Sequence, residues 1–149
     1  MKLIIRKASV RWKGGVKGDT RVMNTGSGVL KQVRYSSGVP LKNNSATDPA
    51  ELIAAAHAGS FSLALSNELG LTGHTSGEIT TTATVTMEYQ ATGWAIMNIH
   101  LNVIARLPRL TQGEFIDATV RAKTSCLISR LLRANISMNA KLEKQSPSV

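Results

Sequence analysis

The chain has 149 residues, of which 42% are hydrophobic and 18% are charged. This length and composition are typical of one folded domain with its own core, and they exclude a mainly disordered protein. We therefore predict a single domain over residues 1–149. Arg6 and Lys7 interrupt the apolar N-terminus where a signal peptide would run uncharged, and Cys126 is the only cysteine. We expect a cytoplasmic protein with no membrane segment and no internal disulfide.

The formal net charge of +9 is concentrated in the first 42 residues, where ten Lys and Arg residues accompany only Asp19 among the acids. A basic half can indicate nucleic-acid binding. Here the charges alternate with apolar residues, as on an exposed strand, and aromatic residues, which stack on bases, make up only 4% of the chain. We therefore predict no nucleic-acid partner, and we attribute the charge to attraction of an anionic ligand or to solubility.

The first third of the chain predicts short strands. Residues 3–12, 20–24 and 29–35 alternate apolar and polar side chains and are separated by glycine-containing turns. This pattern predicts an antiparallel meander of three strands. A polar, aperiodic connection over residues 36–46 follows it.

A helix over residues 47–70 is the most informative element of the sequence. Asp48 and Glu51 form a capping box at its start, and Gly70 suits its end. Residues 52–67 carry no formal charge and are apolar or small on every face. The pattern predicts a buried helix, which is too short and too interrupted by polar residues to span a membrane.

The remaining chain predicts a hairpin, two helices and a last strand. Residues 78–90 and 94–106 alternate strictly, with a turn between them. A second capping box begins a helix over residues 111–124, a short helix starts at Leu127, and residues 135–143 alternate again. Strands separated by single helices predict an α+β domain, with an antiparallel sheet whose one face the helices cover.

Cys126 is one candidate for chemistry. A thiol at the start of a helix, with Lys123 and Arg130 as sources of positive charge, can be held as a thiolate. The alternative interpretation is a small buried hydrophobic residue.

His57 and Ser60 are a second candidate, because a spacing of three places them on one helix face. They could form a Ser–His nucleophile pair of a hydrolase, but no orienting acid is spaced for it, and a buried, hydrogen-bonded pair is preferred. His57, His74, His100 and Cys126 show no metal-ligand spacing, and no phosphate-binding loop is present. We predict no metal and no cofactor.

Three runs of the sequence together resemble the OsmC/Ohr family of thiol peroxidases. They read SGVLKQ…Y, TDPAELIAAAHAGSFSLALS and AKTSCLISRLLRANISMNAKL. The AAHA run resembles the OsmC branch, because Ohr-type proteins usually have a tyrosine in place of the histidine. The resemblance implies an OsmC-like fold, in which an antiparallel sheet wraps around a long buried central helix. It also implies an intertwined homodimer with two sites at its interface.

The resemblance implies a two-cysteine mechanism in the family. A thiolate on the central helix attacks the O–O bond of an organic hydroperoxide and becomes a sulfenic acid, which a second cysteine resolves. An arginine and a glutamate near the helix start hold the thiolate and the peroxide. A dithiol reductant, lipoamide-like or thioredoxin-like, then reduces the disulfide.

Several catalytic positions of this family are substituted here. The resolving position falls on Cys126, but the peroxidatic position falls on Ser60, the glutamate position on Ala50 and the arginine position on Pro40. Glu51 is a possible stand-in for the glutamate. Three departures together favour natural divergence over an engineered Cys→Ser change. Because a serine hydroxyl is not a soft nucleophile at neutral pH, the two-cysteine mechanism is predicted to be lost.

Two functions therefore remain open at this point. One is an organic hydroperoxide peroxidase of the oxidative stress response that uses Cys126 alone, with Lys17, Arg21 or Arg34 supplying positive charge. The other is an inactive family member that binds a small hydrophobic or anionic ligand at the dimer interface. A hydrolase using Ser60 and His57 is the third and weakest hypothesis.

Overall fold

The computed structural model describes residues 1–13, 20–36, 46–75 and 77–144. Its helices and strands, in chain order, are β1 Ala8–Lys13, β2 Thr20–Thr25, β3 Val33–Arg34, α1 Pro49–Leu71, β4 Glu78–Gln90, β5 Gly93–Arg106, α2 Gln112–Ser125, α3 Leu127–Leu131 and β6 Asn135–Leu142. All of these elements are predicted by the sequence, although β1 begins at Ala8 rather than at residue 3.

The chain forms two compact units, Met1–Leu52 and Ile53–Val149. The prediction of a single domain stays a prediction. No helix within the described ranges is long and apolar enough to cross a membrane.

The first unit contains the predicted meander. Strands β1, β2 and β3 pair antiparallel in that order, with Val10 opposite Met23 and Met23 opposite Val33. The start of α1 follows, and there the Asp48 carboxylate accepts a hydrogen bond from the Glu51 backbone N–H at 2.9 Å. This bond confirms Asp48 as the cap, since it satisfies a backbone donor that the first helical turn leaves unpaired.

The second unit contains a sheet in the order β4-β5-β6. Strands β4 and β5 form the predicted antiparallel hairpin, but β6 runs parallel to β5. The prediction of a wholly antiparallel sheet is therefore wrong for this strand. The connection over residues 107–134, which includes α2 and α3, is long enough for the crossover that a parallel neighbour requires.

A β-bulge shifts the register of the hairpin. Thr86 pairs with Asn98, whereas the next residue, Met87, pairs with Ile96, so that Met97 has no opposite residue. Beyond the bulge, Ile96 packs against the core, whereas uninterrupted alternation from Ile99 would place Met97 on that face. The alternation of apolar and polar residues predicts which side chains face the core only as far as the bulge, because the extra residue reverses the order of the two faces.

The core of this unit lies between one face of the sheet and helices α1 and α2. Its fully buried apolar residues include Phe61, Leu65 and Leu69 from α1, Ile99, Leu101, Val103 and Ala105 from β5, and Phe115, Ala118 and Ala122 from α2. The opposite face of the sheet presents exposed polar side chains, among them Thr82, Asn102 and Asn139. The prediction that helices cover one face of the sheet is confirmed.

The composition of α1 predicts burial on every side, but this prediction is wrong for one face of the helix. Ala55, Ala56, Gly59 and Leu63, which recur at helical spacing, are exposed, and Leu63 is 64% exposed. We call these four residues the exposed face of α1. Phe61 and Leu65, on another side of the helix, are fully buried against the sheet. A second apolar surface is therefore left open after the core has formed.

Candidate functional site

Cys126 lies at the junction of α2 and α3. Its backbone is extended, with φ −61° and ψ 119°, and it is both the C-cap of α2 and the N-cap of α3. The predicted helix break at this position is confirmed. The side chain is fully buried at 0% exposure and forms part of the core cluster.

Helix α1 brings Ser60 to this thiol. The Oγ of Ser60 lies 3.3 Å from the Sγ of Cys126 and accepts a hydrogen bond from the Ile128 N–H at 3.5 Å. Positions 60 and 126 are 66 residues apart in sequence, and no local pattern brings them together. The two positions that the resemblance implies for a cysteine pair therefore face each other.

Hydrogen bonds set the acidity of Cys126. Burial raises the pKa of the thiol. Hydrogen bonding to the side chains of Ser129 and Ser60 and to the backbone of Ser129 and Ile128 lowers the pKa by a larger amount, so that it lies below its ordinary value. Donors to a thiolate favour the charged form because they replace its lost hydration. Neither Lys123 nor Arg130 is among these causes.

His57 approaches the same site from α1. Its Nε2 lies 2.7 Å from the Oγ of Ser129. The ring is fully buried, and burial lowers the pKa of His57, so the imidazole is neutral at pH 7. Among the described residues, nothing bonds to its buried Nδ1.

His57 and Ser60 are each hydrogen-bonded, as the preferred interpretation expects, but their partners are Ser129 and Cys126 rather than each other. This arrangement also lacks the direct Ser–His bond that a hydrolase nucleophile needs. Ser129 was not predicted as a site residue. Its position three residues after Cys126, one turn along a helix, was the available signal.

The remaining predicted site residues are placed as follows. The Glu51 carboxylate accepts a hydrogen bond from the Thr47 hydroxyl at 3.0 Å, beside the helix cap. Ala50 is buried. Lys123 donates from its ammonium to the Ile136 carbonyl at 3.0 Å. Lys17 and Pro40 lie outside the described residues. The role of Glu51 as a stand-in stays a prediction.

A family described as OsmC-like protein matches residues 42–141. The chain belongs to the OsmC family. It is 36% identical over 140 residues to peroxiredoxin OsmC of Escherichia coli K12, across 94% of this chain and 98% of that protein. The same identity and coverage apply to peroxiredoxin OsmC of Shigella flexneri.

Solved structures of OsmC-family proteins share the fold. An OsmC-like protein of unknown function from Vibrio cholerae superimposes with a TM-score of 0.78 at 15% identity, covering 93% of this chain and 100% of the other. An organic hydroperoxide resistance protein from Elizabethkingia anophelis gives 0.71 at 25% identity, covering 97% and 99%. The α+β, OsmC-like fold is therefore confirmed.

The lowered pKa of Cys126 predicts an unusual pH dependence of alkylation. We expect the rate with iodoacetamide, followed by intact mass, to reach half its maximum at a lower pH in the folded protein than in the urea-unfolded chain. The midpoint is informative even though burial slows the absolute rate. Equal midpoints in the two states would contradict the hydrogen-bonded thiolate.

Proposed function

We propose that this OsmC-family protein is a thiol-dependent peroxidase of the oxidative stress response, which reduces organic hydroperoxides with Cys126 as its reacting thiol. The observation that supports this proposal most directly is the hydrogen bond between the Cys126 Sγ and the Ser60 Oγ at 3.3 Å. The pKa of the buried thiol lies below its ordinary value, and no charged group is among the causes. The similarity to peroxiredoxin OsmC supports the reaction class. The two-cysteine mechanism is lost in this proposal, because Ser60 stands opposite the thiol.

The reaction requires one sulfur and an external reductant. The Cys126 thiolate attacks the terminal oxygen of the hydroperoxide, so that an S–O bond forms and the O–O bond breaks. The alkoxide leaves, takes up a proton and departs as an alcohol, while Cys126 becomes a sulfenic acid. Because the chain has no second cysteine, a dithiol displaces water to form a mixed disulfide, and its second thiol then releases Cys126.

The proposal includes an intertwined homodimer of single-domain subunits in the cytoplasm, with no nucleic-acid or membrane partner. The exposed face of α1 supports the dimer. Leu127 and Leu131, which are 69% and 71% exposed on α3, add apolar surface directly after Cys126. Large exposed apolar surface on a folded domain is typical of an interaction site. A second copy would cover it and give an apolar hydroperoxide an environment beside the thiol.

A second candidate function is supported by the full burial of Cys126. A thiol with 0% exposure, opposite a serine in place of the peroxidatic cysteine, also fits an inactive family member. Such a protein would bind a small hydrophobic or anionic ligand at the dimer interface. The two proposals differ in whether wild-type protein consumes hydroperoxide.

Turnover of cumene or tert-butyl hydroperoxide with a dithiol reductant tests the peroxidase. We expect the wild-type protein to consume hydroperoxide and Cys126→Ser to fall to the uncatalysed rate. The comparison includes a restored variant with Ser60→Cys, Ala50→Glu and Pro40→Arg. An inactive wild type beside an active restored variant would overturn the peroxidase proposal in favour of the inactive binding protein.

A further inference from the structure

The Ser60 oxygen accepts two hydrogen bonds at the junction of α2 and α3. The Cys126 thiol donates to the Ser60 Oγ across 3.3 Å, and the Ile128 N–H donates to the same oxygen across 3.5 Å. A serine hydroxyl has two acceptor lone pairs and one proton to donate. Both lone pairs are therefore engaged, and the hydroxyl proton takes the remaining direction around the oxygen.

Ser60 is more accessible than the sulfur that it contacts. Cys126 is 0% exposed, whereas Ser60 is partly exposed and follows Gly59 of the exposed face of α1. A hydroperoxide that approaches across this face therefore meets the hydroxyl beside the sulfur. Because the two oxygens of a hydroperoxide are bonded to each other, a terminal oxygen placed on the sulfur brings the other oxygen within reach of Ser60.

We propose that Ser60 is a catalytic proton relay: its Oγ takes the thiol proton of Cys126 while its own hydroxyl proton passes to the alkoxide that leaves the hydroperoxide. This inference deepens the proposed function and rests on it. The S–O bond forms as the O–O bond breaks, and the former thiol proton remains on Ser60. The products are the sulfenic acid of Cys126, an alcohol and an intact serine hydroxyl, so that no proton is taken from solvent.

The charged and titratable groups on the elements around Cys126 do not take this role. His57 on α1 is neutral at pH 7, because burial lowers its pKa, and its Nε2 lies 2.7 Å from the Ser129 Oγ. Lys123 on α2 donates to a backbone carbonyl, and Arg130 on α3 is exposed. Strand β5 contributes apolar residues to the core cluster that contains Cys126. A neutral hydroxyl beside the sulfur is therefore the group placed to move the proton.

The first test is vibrational and requires no reaction. Because Cys126 is the only cysteine, the Raman spectrum contains a single S–H stretching band. Donation of a hydrogen bond lowers the frequency of this band, and so we expect Ser60→Ala to raise it. Ser60→Thr keeps the hydroxyl, and Ser62→Ala removes one that donates to Thr81 instead, so both should retain the wild-type frequency. An unchanged band in folded Ser60→Ala overturns the relay.

The second test follows the pH dependence of sulfenic acid formation in a single turnover with cumene hydroperoxide. The wild-type thiol supplies both nucleophile and proton, so its rate constant should stay level as the pH falls below the pKa of Cys126. In Ser60→Ala only the thiolate reacts, and the rate constant should be about 100-fold lower than in wild type two pH units below that pKa. Ser60→Thr should keep the level profile. A merely structural role for Ser60 would lower the rate by one factor at every pH.

A measurement on wild-type protein alone does not depend on whether Ser60→Ala folds. Two protons move together in the relay, so the rate constant should depend quadratically on the deuterium fraction in mixtures of H₂O and D₂O. A linear dependence overturns the relay.

The relay and the proposed function fail in distinguishable ways. A wild-type protein that consumes no hydroperoxide overturns the peroxidase function and the relay with it. An active wild type, together with a folded Ser60→Ala that keeps the level pH profile, overturns the relay alone. Circular dichroism of each variant establishes that it is folded.

Discussion

Replacing Ser60 with cysteine is expected to produce an intrachain disulfide with Cys126. The Ser60 Oγ already lies 3.3 Å from the Cys126 Sγ, and both groups are carried by packed helices of one core. Closing a loop between positions 66 apart in sequence should stabilise the oxidised protein by about 4 kcal/mol through the lost entropy of the unfolded chain. Intact mass with thiol counting, and urea unfolding with and without reductant, measure both effects.

Ser62→Cys is the matched control on the same helix. Its hydroxyl donates to Thr81 Oγ1 at 2.8 Å, on β4, and so faces a different element from Ser60. We expect this variant to keep two free thiols after treatment with oxidised glutathione. If Ser60→Cys also kept both thiols, the observed approach of α1 to the α2–α3 junction would be incorrect.

Replacing Leu63 with lysine is expected to convert the proposed homodimer into monomers. Leu63 is 64% exposed on the single chain and is the largest side chain of the exposed face of α1. An isologous interface would bury this residue in both subunits, and a buried charge without a partner costs roughly 3–5 kcal/mol. The dissociation constant should therefore rise by two or more orders of magnitude, with light scattering at micromolar concentration as the measurement.

Asn102→Lys provides the control, since it adds the same charge on the polar face of the sheet. This variant should remain dimeric. Wild-type protein that scatters as a monomer would contradict the intertwined dimer directly. A dimer that persists in Leu63→Lys would place the interface elsewhere.

The sequence predicted most of this fold because local signals agree along the chain. The alternation of apolar and polar residues predicted the hairpin of β4 and β5. The hydrogen bonds between Thr111 and Glu114 form the predicted capping box of α2. The parallel strand β6 and the bulge after Thr86 could not be predicted in this way. Strand direction depends on where the crossover returns, and a bulge depends on pairing with a neighbour, so neither is encoded in a local period.

The site was less predictable than the fold. Spacing placed His57 and Ser60 on one helix face but could not supply their partners, which lie far along the chain. The meeting of positions 60 and 126 came from the family resemblance rather than from any pattern. Ser129 was missed because its hydrogen bond to His57 joins positions 72 apart in sequence, which no local period describes. The apolar composition of α1 correctly predicts that Phe61 is buried, but it wrongly predicts the same for Leu63, which is exposed.

The single thiol at Cys126 has a practical consequence for identifying the reductant that the proposed function requires. Since the chain contains no other cysteine, every disulfide it forms joins it to another molecule or to a second copy of itself. The mass added to the chain in a mixed disulfide therefore identifies the thiol that is bound to Cys126. If the wild-type chain is isolated under conditions that quench thiol exchange, it should retain the proposed reductant as a mixed disulfide.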